Sequence, residues 1–357
     1  MSKPGKRLRM ARNKLELRRL GIVALLISSA IVPGLQPASA SPMPLAVRPK
    51  ASWRLEPKLT DKKESENISG IACSPAPEPT CVLVSDEQKS GRYLRFATLG
   101  ERTLQPGRTV SLFSDSPGKE ADTEAAAYSA GQFLVIGSHG VAKKDPTYQP
   151  ERYRIFRIPA TATSNNQIES SNSLEAILLS LPELQPAACG KASAPPCRSL
   201  QEGGVNVEGL AVRNGQAWIG LRAPLLAGEA VVVQVNTNAL FAMAPGQPLL
   251  HRLALGEGRG IRDIATVNDG FLLLTGKSTP EEDNESPLPA TVLLWRGDRE
   301  PPIPIATLTE TGTIDKPEAM LVLAEDKQNW RVLILGEGKG SIEPQEYNLP
   351  KPSRQRP

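Results

Sequence analysis

The chain has 357 residues, with 42 Lys or Arg and 38 Asp or Glu, which gives a formal net charge of +4 at pH 7. Residues 1–40 hold eight of the basic residues and one of the acidic residues, so residues 41–357 retain 34 and 37 and carry a net charge of about −3. No basic block and no interleaving of basic with aromatic residues remains there. These features exclude nucleic acid as the expected partner.

The first 40 residues predict a secretory signal peptide. The basic segment "MSKPGKRLRMARNKLELRRL" precedes the apolar run "GIVALLISSAIVPGL", and Ala38-Ser39-Ala40 follows as a cleavage site. This order is typical of export signals, and the apolar run is short for a membrane span. The alternative is an uncleaved N-terminal anchor. We therefore expect a periplasmic or secreted protein without a membrane span after cleavage.

Four cysteines form two closely spaced pairs. Cys73 and Cys81 bracket "SPAPEPT", and Cys189 and Cys197 bracket "GKASAPP". In an oxidising compartment, two short-range disulfides are the simplest interpretation, although four cysteines allow three connectivities. A metal site is the alternative, but these spacings match no zinc pattern.

Short apolar runs separated by turn residues predict an all-β fold. Examples are "CVLVSD", "YLRFATL", "QFLVIGS", "AWIGLR", "VVVQV", "GFLLLTG", "TVLLW" and "RVLILGEG". Runs of four to eight residues between Gly, Pro, Asn or Asp indicate strands. The segment "NSLEAILLSLPEL" (172–184) is ambiguous between strand and helix.

Five of the strands begin with related segments. These are "NISGIA" (67–72), "DTEAAA" (122–127), "NVEGLA" (206–211), "GIRDIA" (260–265) and "KPEAML" (316–321). Their last positions are 55, 84, 54 and 56 residues apart, and the long interval indicates an insertion at about 160–203. A β-rich unit of about 50 residues that recurs along a chain is typical of a β-propeller.

We therefore predict a β-propeller over residues 41–349, followed by a disordered tail at 350–357. Five blades are expected, with six as the alternative if the insertion and the N-terminal strands form a further blade. The segment "MPLAVRPKASWRLEP" (43–57) is predicted to complete the last blade and close the ring. An irregular β-sandwich is the alternative fold.

In a propeller the first strand of each blade lines the central channel and the second returns beside it. The start of the first strand and the end of the second therefore share one rim. The expected rim residues are Ser69, Glu124, Glu208, Asp263 and Glu318 at the starts, and Asp86, Glu87, Ser138, His139, Arg222, Lys277 and Glu337 at the ends. These charges either cap the channel as ion pairs or form a ligand site.

As a ligand site, the rim divides into three sets of candidate residues. The catalytic candidates are Glu208 and His139; the ligand-binding candidates are Arg222, Lys277, Asp263 and Arg262; the metal-binding candidates are Glu124 and Glu318. Calcium is the metal whose preference for carboxylate and carbonyl oxygens fits best. A structural role is the alternative for His139, which lies between glycines after an apolar strand.

Three segments resemble the bacterial proteins grouped as domain of unknown function 3616. They are "KEADTEAAAYSAGQFLVIGSHG", "NVEGLAVRNGQAWIGLRAPLLAGEAVVVQV" and "GIRDIATVNDGFLLLTG", and the resemblance covers about residues 65–340. The group is more distantly similar to exported phytase-like or esterase-like propellers, whose E-G-[LIF]-[AS] signature is met at Glu208-Gly209-Leu210-Ala211. That similarity implies phosphoester hydrolysis.

The expected function is an exported monomer that binds a small anionic or polar ligand at the channel rim. Metal-assisted phosphoester hydrolysis is the reaction class to test. The alternative is a non-catalytic scaffold that presents its loops to an envelope protein.

Overall fold

Five β-sheets surround a central axis and form a five-bladed β-propeller. The computed structural model describes residues 44–75, 77–87, 92–113, 121–193, 197–242, 246–280 and 288–352. All of them belong to one compact unit, Ser41–Pro357. The predicted signal peptide and residues 353–357 of the predicted tail lie outside the described residues. In the described part, no helix has the length and apolar character needed to span a membrane.

The strands follow the chain in antiparallel hairpins. The N-terminal segment supplies β1 (Leu45–Val47), β2 (Ala51–Ser52), β3 (Arg54–Leu55) and helix α1 (Lys62–Glu66). Blade 1 contains β4 (Gly70–Cys73), β5 (Thr80–Val84), β6 (Tyr93–Gly100) and β7 (Thr103–Ser111). Blade 2 contains β8 (Thr123–Ser129), β9 (Gln132–Gly137), β10 (Ile155–Pro159) and β11 (Glu169–Ser171), and helix α2 (Ser173–Ser180) follows it.

The remaining strands form three further blades. Blade 3 contains β12 (Asn206–Arg213), β13 (Gln216–Leu226), β14 (Glu229–Asn236) and β15 (Leu249–Leu253). Blade 4 contains β16 (Arg259–Val267), β17 (Gly270–Lys277), β18 (Thr291–Trp295) and β19 (Ile303–Leu308). Blade 5 contains β20 (Ile314–Glu325), β21 (Asn329–Gly338) and β22 (Gln345–Pro350). Short 3₁₀ turns lie at Pro150–Tyr153, Asn165–Gln167, Leu200–Glu202 and Ala239–Phe241.

The N-terminal segment closes the ring, as predicted, and it also extends two other blades. Strand β2 pairs antiparallel with β22 and completes blade 5. Strands β1 and β3 add in parallel to the outer strands of blades 4 and 1. The ring closes near the axis as well, where the Ile68 N–H donates to the Gly336 carbonyl at 3.2 Å.

The C-terminal strand β22 is not apparent in the sequence, because "QEYNLP" mixes polar and apolar residues. Its Tyr347 and Leu349 side chains are buried, and Glu346 accepts a hydrogen bond from Trp53 Nε1 at 2.8 Å. The strand extends to Pro350, and Lys351 Nζ donates to Glu325 at 2.6 Å. The ordered propeller thus runs a few residues into the predicted tail.

The predicted insertion contains the outer strand of blade 2 and a helix. Strand β11 pairs with β10, and α2 then buries Leu174, Ile177 and Leu178 against apolar residues of blades 2 and 3. The disulfide Cys189–Cys197 follows, and Cys73–Cys81 joins the facing positions of β4 and β5. Both predicted disulfides are therefore confirmed.

Several strands inside the blades are apolar on both faces, because each blade packs between two others. All five residues of β18 are buried, as are most residues of β9 and β17. Continuous apolar runs of this kind are expected for sheets covered on both sides. Polar residues are therefore concentrated where the inner strands begin.

Candidate functional site

Four of the five inner strands carry a β-bulge at the same place near their first residues. In blade 3, Val207 pairs with Leu221 and Gly209 pairs with Gly220, so the residue between Val207 and Gly209 has no partner. The register shifts in the same way in blades 2, 4 and 5. The residues left unpaired, here called the rim bulges, are Glu124, Glu208, Arg262 and Glu318. A bulge bends the strand and re-aims its side chain, and bulges are frequent beside active sites.

The rim bulges join blades 3, 4 and 5 through buried ion pairs. Arg262 Nη1 donates to Glu208 Oε2 at 2.9 Å and to Glu318 Oε1 at 3.1 Å. Glu208 Oε1 accepts from Arg222 Nη1 at 3.0 Å. Glu208 and Arg262 are 5% and 3% exposed, and the Arg222 side chain is 15% exposed. These four residues are called the ion-pair chain.

Two glycines of blade 3 permit the close approach of blade 4 at this point. A Cβ atom on Gly220 would lie 2.5 Å from Ile261 Cγ2, and one on Gly209 would lie 2.9 Å from Ile264 Cγ1. Real Cβ atoms essentially never approach other atoms more closely than 3.0 Å. The glycine of the Glu208-Gly209-Leu210-Ala211 signature therefore has a packing role beside the ion-pair chain.

A second group of acids, here called the acidic cluster, lies between blades 1 and 2. Its members are Asp86 after β5, Asp122 before β8, and the rim bulge Glu124 of β8; one ligand atom of each lies within 4.8 Å of the others. Asp122 accepts hydrogen bonds from the Arg152 guanidinium and the Ser138 hydroxyl. The backbone N–H of Asp86 donates to Ser69 Oγ at 3.2 Å.

The carboxylates of the acidic cluster and of the ion-pair chain interact electrostatically. Burial raises the pKa values of Asp86 and Glu124 well above the ordinary range, and nearby carboxylates raise them further. Burial also raises the pKa of Asp122, although Arg152 opposes this shift. The pKa of Glu318 is raised by burial to about 7, against the opposing effect of Arg262. Glu318 can therefore gain or lose a proton near neutral pH.

Asp263 lies beside the bulge residue of blade 4 and has different partners. Its carboxylate accepts from the backbone N–H groups of Ile264 and Met320, both at 2.7 Å. Burial raises its pKa well above the ordinary range, and these two N–H donors oppose the shift. The register aligns Arg262, and not Asp263, with the three rim glutamates. Asp263 ties blade 4 to blade 5.

Lys277 lines a cavity of about 220 Å³ between blades 4 and 5. Arg262 and Lys316 line the same cavity, and Lys316 Nζ donates to Glu337 at 2.7 Å. The structure thus brings Lys277 near one member of the ion-pair chain. A cavity of about 290 Å³ on the axis is lined mainly by small and aliphatic residues of the five inner strands.

His139 has a separate environment from the acidic cluster. Its backbone has a φ of +52°, a left-handed conformation that few non-glycine residues adopt. The ring lies edge-on to Tyr153 with centroids 5.6 Å apart, and Nδ1 is 2.9 Å from the Gly137 carbonyl oxygen. Burial lowers its pKa to about 4, so the imidazole is neutral at pH 7. His139 Nε2 is buried without a partner among the described residues.

The sequence did not suggest Asp122 or Arg152 as site residues. Asp122 is the first residue of the repeat segment "DTEAAA", two positions before Glu124, so its position in the repeat was a usable signal. Arg152 comes from the 3₁₀ turn between β9 and β10, outside the segment "DTEAAA" that the repeats share. Asp86 was expected at the rim but had no assigned role.

Comparison with known proteins identifies the family. The family described as protein of unknown function, DUF3616, matches residues 160–337, about half of the chain. The chain belongs to this family. No curated protein matches it. The family match does not bear on phytase-like or esterase-like propellers, and that similarity stays a prediction.

Solved structures resemble the chain at low sequence identity. An exo-β-1,3-galactanase from Phanerochaete chrysosporium with galactose is 10% identical, with a TM-score of 0.46 over 84% of this chain and 63% of that chain. A family GH43 β-1,3-galactosidase with galactodeoxynojirimycin is 12% identical, with a TM-score of 0.47 over 85% and 94% of the two chains. A Cellvibrio cellulosa α-L-arabinanase mutant is 10% identical, with a TM-score of 0.44 over 78% and 90%. This chain spans less than two thirds of the galactanase. These likenesses concern the fold alone.

Proposed function

We propose that this protein binds a small polar or anionic ligand at the channel rim and that metal-assisted hydrolysis of a phosphoester is its reaction. The observation that carries this proposal is an excess of buried carboxylates. Asp86, Asp122, Glu124, Glu208 and Glu318 act on one another electrostatically across the rim. Among the residues that the structure describes, the three guanidinium groups of Arg152, Arg222 and Arg262 pair with the other acids and leave Asp86 and Glu124 without a cation. Ion pairs with a purely structural role would not need this excess.

The groups at the rim have properties suited to these roles. Glu318, with a pKa of about 7, can transfer a proton at neutral pH. Arg222 keeps a partly exposed guanidinium that can meet an anionic group, while Glu208 orients it. The role of His139 as an acid or base remains part of the proposal. Its low pKa makes it a base rather than an acid at pH 7.

The experiment is thermal unfolding of the purified protein with and without phosphate, inositol hexakisphosphate or galactose as a neutral comparison. A ligand that binds only the folded state raises the melting temperature. We expect a phosphate ligand to do so, and Glu208→Gln and Arg222→Ala to remove the shift. Arg252→Ala is the matched control, because Arg252 forms an exposed ion pair with Glu229 in the same blade. If no ligand shifts unfolding of the wild-type protein, the proposed ligand site is wrong.

We further propose that the protein acts in the periplasm or is secreted, as a monomer. The two disulfides support an oxidising compartment. Release of a protein that begins near Ser41 into the culture medium or periplasm would support cleavage after Ala40. Retention of the full-length chain in the membrane fraction would contradict it.

A second candidate function is a non-catalytic scaffold for an envelope protein. It is favoured by strand β15, whose outer edge is uncovered in the described part of the chain, whereas β1, β2 and β3 cover the edges of blades 4, 5 and 1. Leu249 of β15 is 57% exposed beside a groove of about 590 Å³. An uncovered strand edge can pair with a strand of another chain. Unfolding that no ligand or ion shifts, with rim variants that only lose stability, would favour this function.

A further inference from the structure

We infer that the acidic cluster of Asp86, Asp122 and Glu124 is a binding site for a calcium ion. This inference deepens the proposed function, since it names the ion of the metal-assisted reaction and assigns it to the side of the rim between blades 1 and 2. Only the catalytic role of the ion rests on the proposed function; the binding of the ion does not.

The spacing of the three carboxylates suits one ion of this size. Oxygen atoms that bind Ca²⁺ lie about 2.3–2.6 Å from it, so two ligands of one ion are at most about 4.6–5.2 Å apart. One oxygen of each of Asp86, Asp122 and Glu124 lies within 4.8 Å of the other two. Three side chains from two blades therefore meet within the ligand sphere of a single cation.

Two of the three carboxylates lack the partners that buried acids require. Glu124 is 8% exposed, and no described residue donates a hydrogen bond to its carboxylate. Asp86 Oδ1 is buried and also lacks a donor among the described residues. Buried polar atoms almost always have a hydrogen-bond partner, and an exception requires an explanation such as an ion. A calcium ion between the carboxylates would satisfy both groups at once.

The surroundings hold the ligands in place, and an arginine pairs with only one of the three carboxylates. Ser69 Oγ accepts from the backbone N–H of Asp86. Arg152 and Ser138 orient Asp122 through one side of its carboxylate. The bulge at Glu124 directs that side chain toward the other two. Glu208 and Glu318, two further acids that act on Glu124, are paired with Arg262, and Arg262 also interacts electrostatically with Glu124.

The donor set favours calcium over other metals. All three ligands are carboxylates, which are hard oxygen donors, and no Cys or His belongs to the cluster. Zinc and copper favour nitrogen or sulfur ligands. Magnesium demands near-ideal octahedral geometry at about 2.0–2.1 Å and keeps several waters, whereas Ca²⁺ accepts irregular sets of six to eight oxygens.

The test is thermal unfolding and calorimetric titration of the purified, EDTA-treated protein with CaCl₂, MgCl₂ or no added metal. We expect Ca²⁺ to bind with a stoichiometry of one and to raise the melting temperature by several degrees. Glu124→Gln keeps the shape of the side chain and removes its charge, so it should weaken Ca²⁺ binding tenfold or more. Asp86→Asn is the second variant and is judged by the same criterion if Glu124→Gln does not fold.

Glu343→Gln is the matched control, because Glu343 is an exposed acid of blade 5 that does not belong to the acidic cluster. It should leave Ca²⁺ affinity within about twofold of the wild-type value. Equal binding of Ca²⁺ to the wild type and both cluster variants, or no binding at all, would overturn the inference. So would a shift with Mg²⁺ alone.

The same titrations separate this inference from the proposed function. Ca²⁺ binding that is lost in Glu124→Gln, without any response to phosphate ligands, supports the ion site and contradicts the proposed function. A phosphate-induced shift that is equal in Ca²⁺ and in EDTA supports a ligand site and contradicts the role of the ion in it.

Discussion

The two sides of the channel rim differ in whether their buried carboxylates are paired with arginines. Between blades 3, 4 and 5, Arg262 bridges Glu208 and Glu318, and Arg222 completes the ion-pair chain. Between blades 1 and 2, three carboxylates converge, and Arg152 pairs with only one of them. Both sides are built on the same β-bulge of an inner strand. One repeated backbone feature thus presents either a paired or an unpaired side chain.

The difference follows from the residue at the bulge. Blade 4 alone has a cation there, Arg262, which lies between the glutamates of its two neighbours and reaches both. Blade 2 has Glu124 at its bulge, whereas the inner strand β4 of blade 1 pairs with β5 in continuous register, and blade 1 contributes Asp86 from the end of its second strand. The paired side is therefore expected to stabilise the ring, and the unpaired side to bind an ion.

The largest expected change in stability follows from removing the central cation, Arg262. In Arg262→Leu, two buried glutamates lose their shared partner, and we expect a loss of about 3–5 kcal/mol in the free energy of unfolding. Urea denaturation at pH 7.5 measures it. Arg252→Leu, which breaks an exposed pair, should cost about 0–1 kcal/mol. Similar losses in the two variants would show that the ion-pair chain is no more important than a surface pair.

A smaller effect concerns the pH dependence of stability in the absence of metal. Because burial raises the pKa of Glu318 from 4.5 to about 7, the folded protein keeps a proton that the unfolded chain has released. Stability should therefore be highest below pH 4.5 as far as this group is concerned, and should fall as the pH rises through about 7. The fall attributable to one such group is on the order of 3 kcal/mol.

Glu318→Gln isolates this contribution, since glutamine resembles the protonated acid. Between pH 5 and 8 the variant should lose less stability than the wild type, as measured by urea denaturation in EDTA. Glu343→Gln, an exposed acid of the same blade, should follow the wild-type curve. A wild-type curve that rises over this range would contradict a raised pKa at Glu318.

The smallest expected effect is a gain in stability, and it concerns the acidic cluster between blades 1 and 2. With EDTA present at pH 8, Glu124→Gln removes an unpaired buried charge, and the variant should be about 1–2 kcal/mol more stable than the wild type. With saturating Ca²⁺ the order should reverse. Differential scanning calorimetry in the two buffers measures both states. A variant that is less stable than the wild type in EDTA would show that Glu124 already has an adequate partner.

The sequence predicted the fold more completely than the site. The spacing of the repeats predicted five blades. The apolar runs predicted most of the strands, because a strand that is buried on both faces is a continuous run of apolar residues. Strand β22 was missed because its buried Tyr347 and Leu349 are interleaved with polar residues, between β21 and the short strand β2.

The partners at the rim could not be read from spacing, because the repeats give the position of each charged residue but not which residues pair. The repeat segments place Arg262 at the position of Glu208, and the register confirms this, whereas Asp263, which was also expected at the rim, binds backbone N–H groups instead. Arg152 comes from a turn outside the repeat, so no periodic signal marks it. Opposite charges at the ends of the blade 3 hairpin, Glu208 and Arg222, were correctly expected to share one rim, because antiparallel pairing requires it.

The most direct measurement is the position of a metal ion in a crystal of the protein grown with Ca²⁺ and soaked with Tb³⁺, located by its anomalous scattering. The predicted result is one strong peak about 2.3–2.6 Å from oxygen atoms of Asp86, Asp122 and Glu124. The ion-pair chain should remain intact beside it, with no metal on Glu208. A peak at Glu208 and Glu318, or no peak at the rim, would contradict the division of the rim into a paired and an ion-binding side.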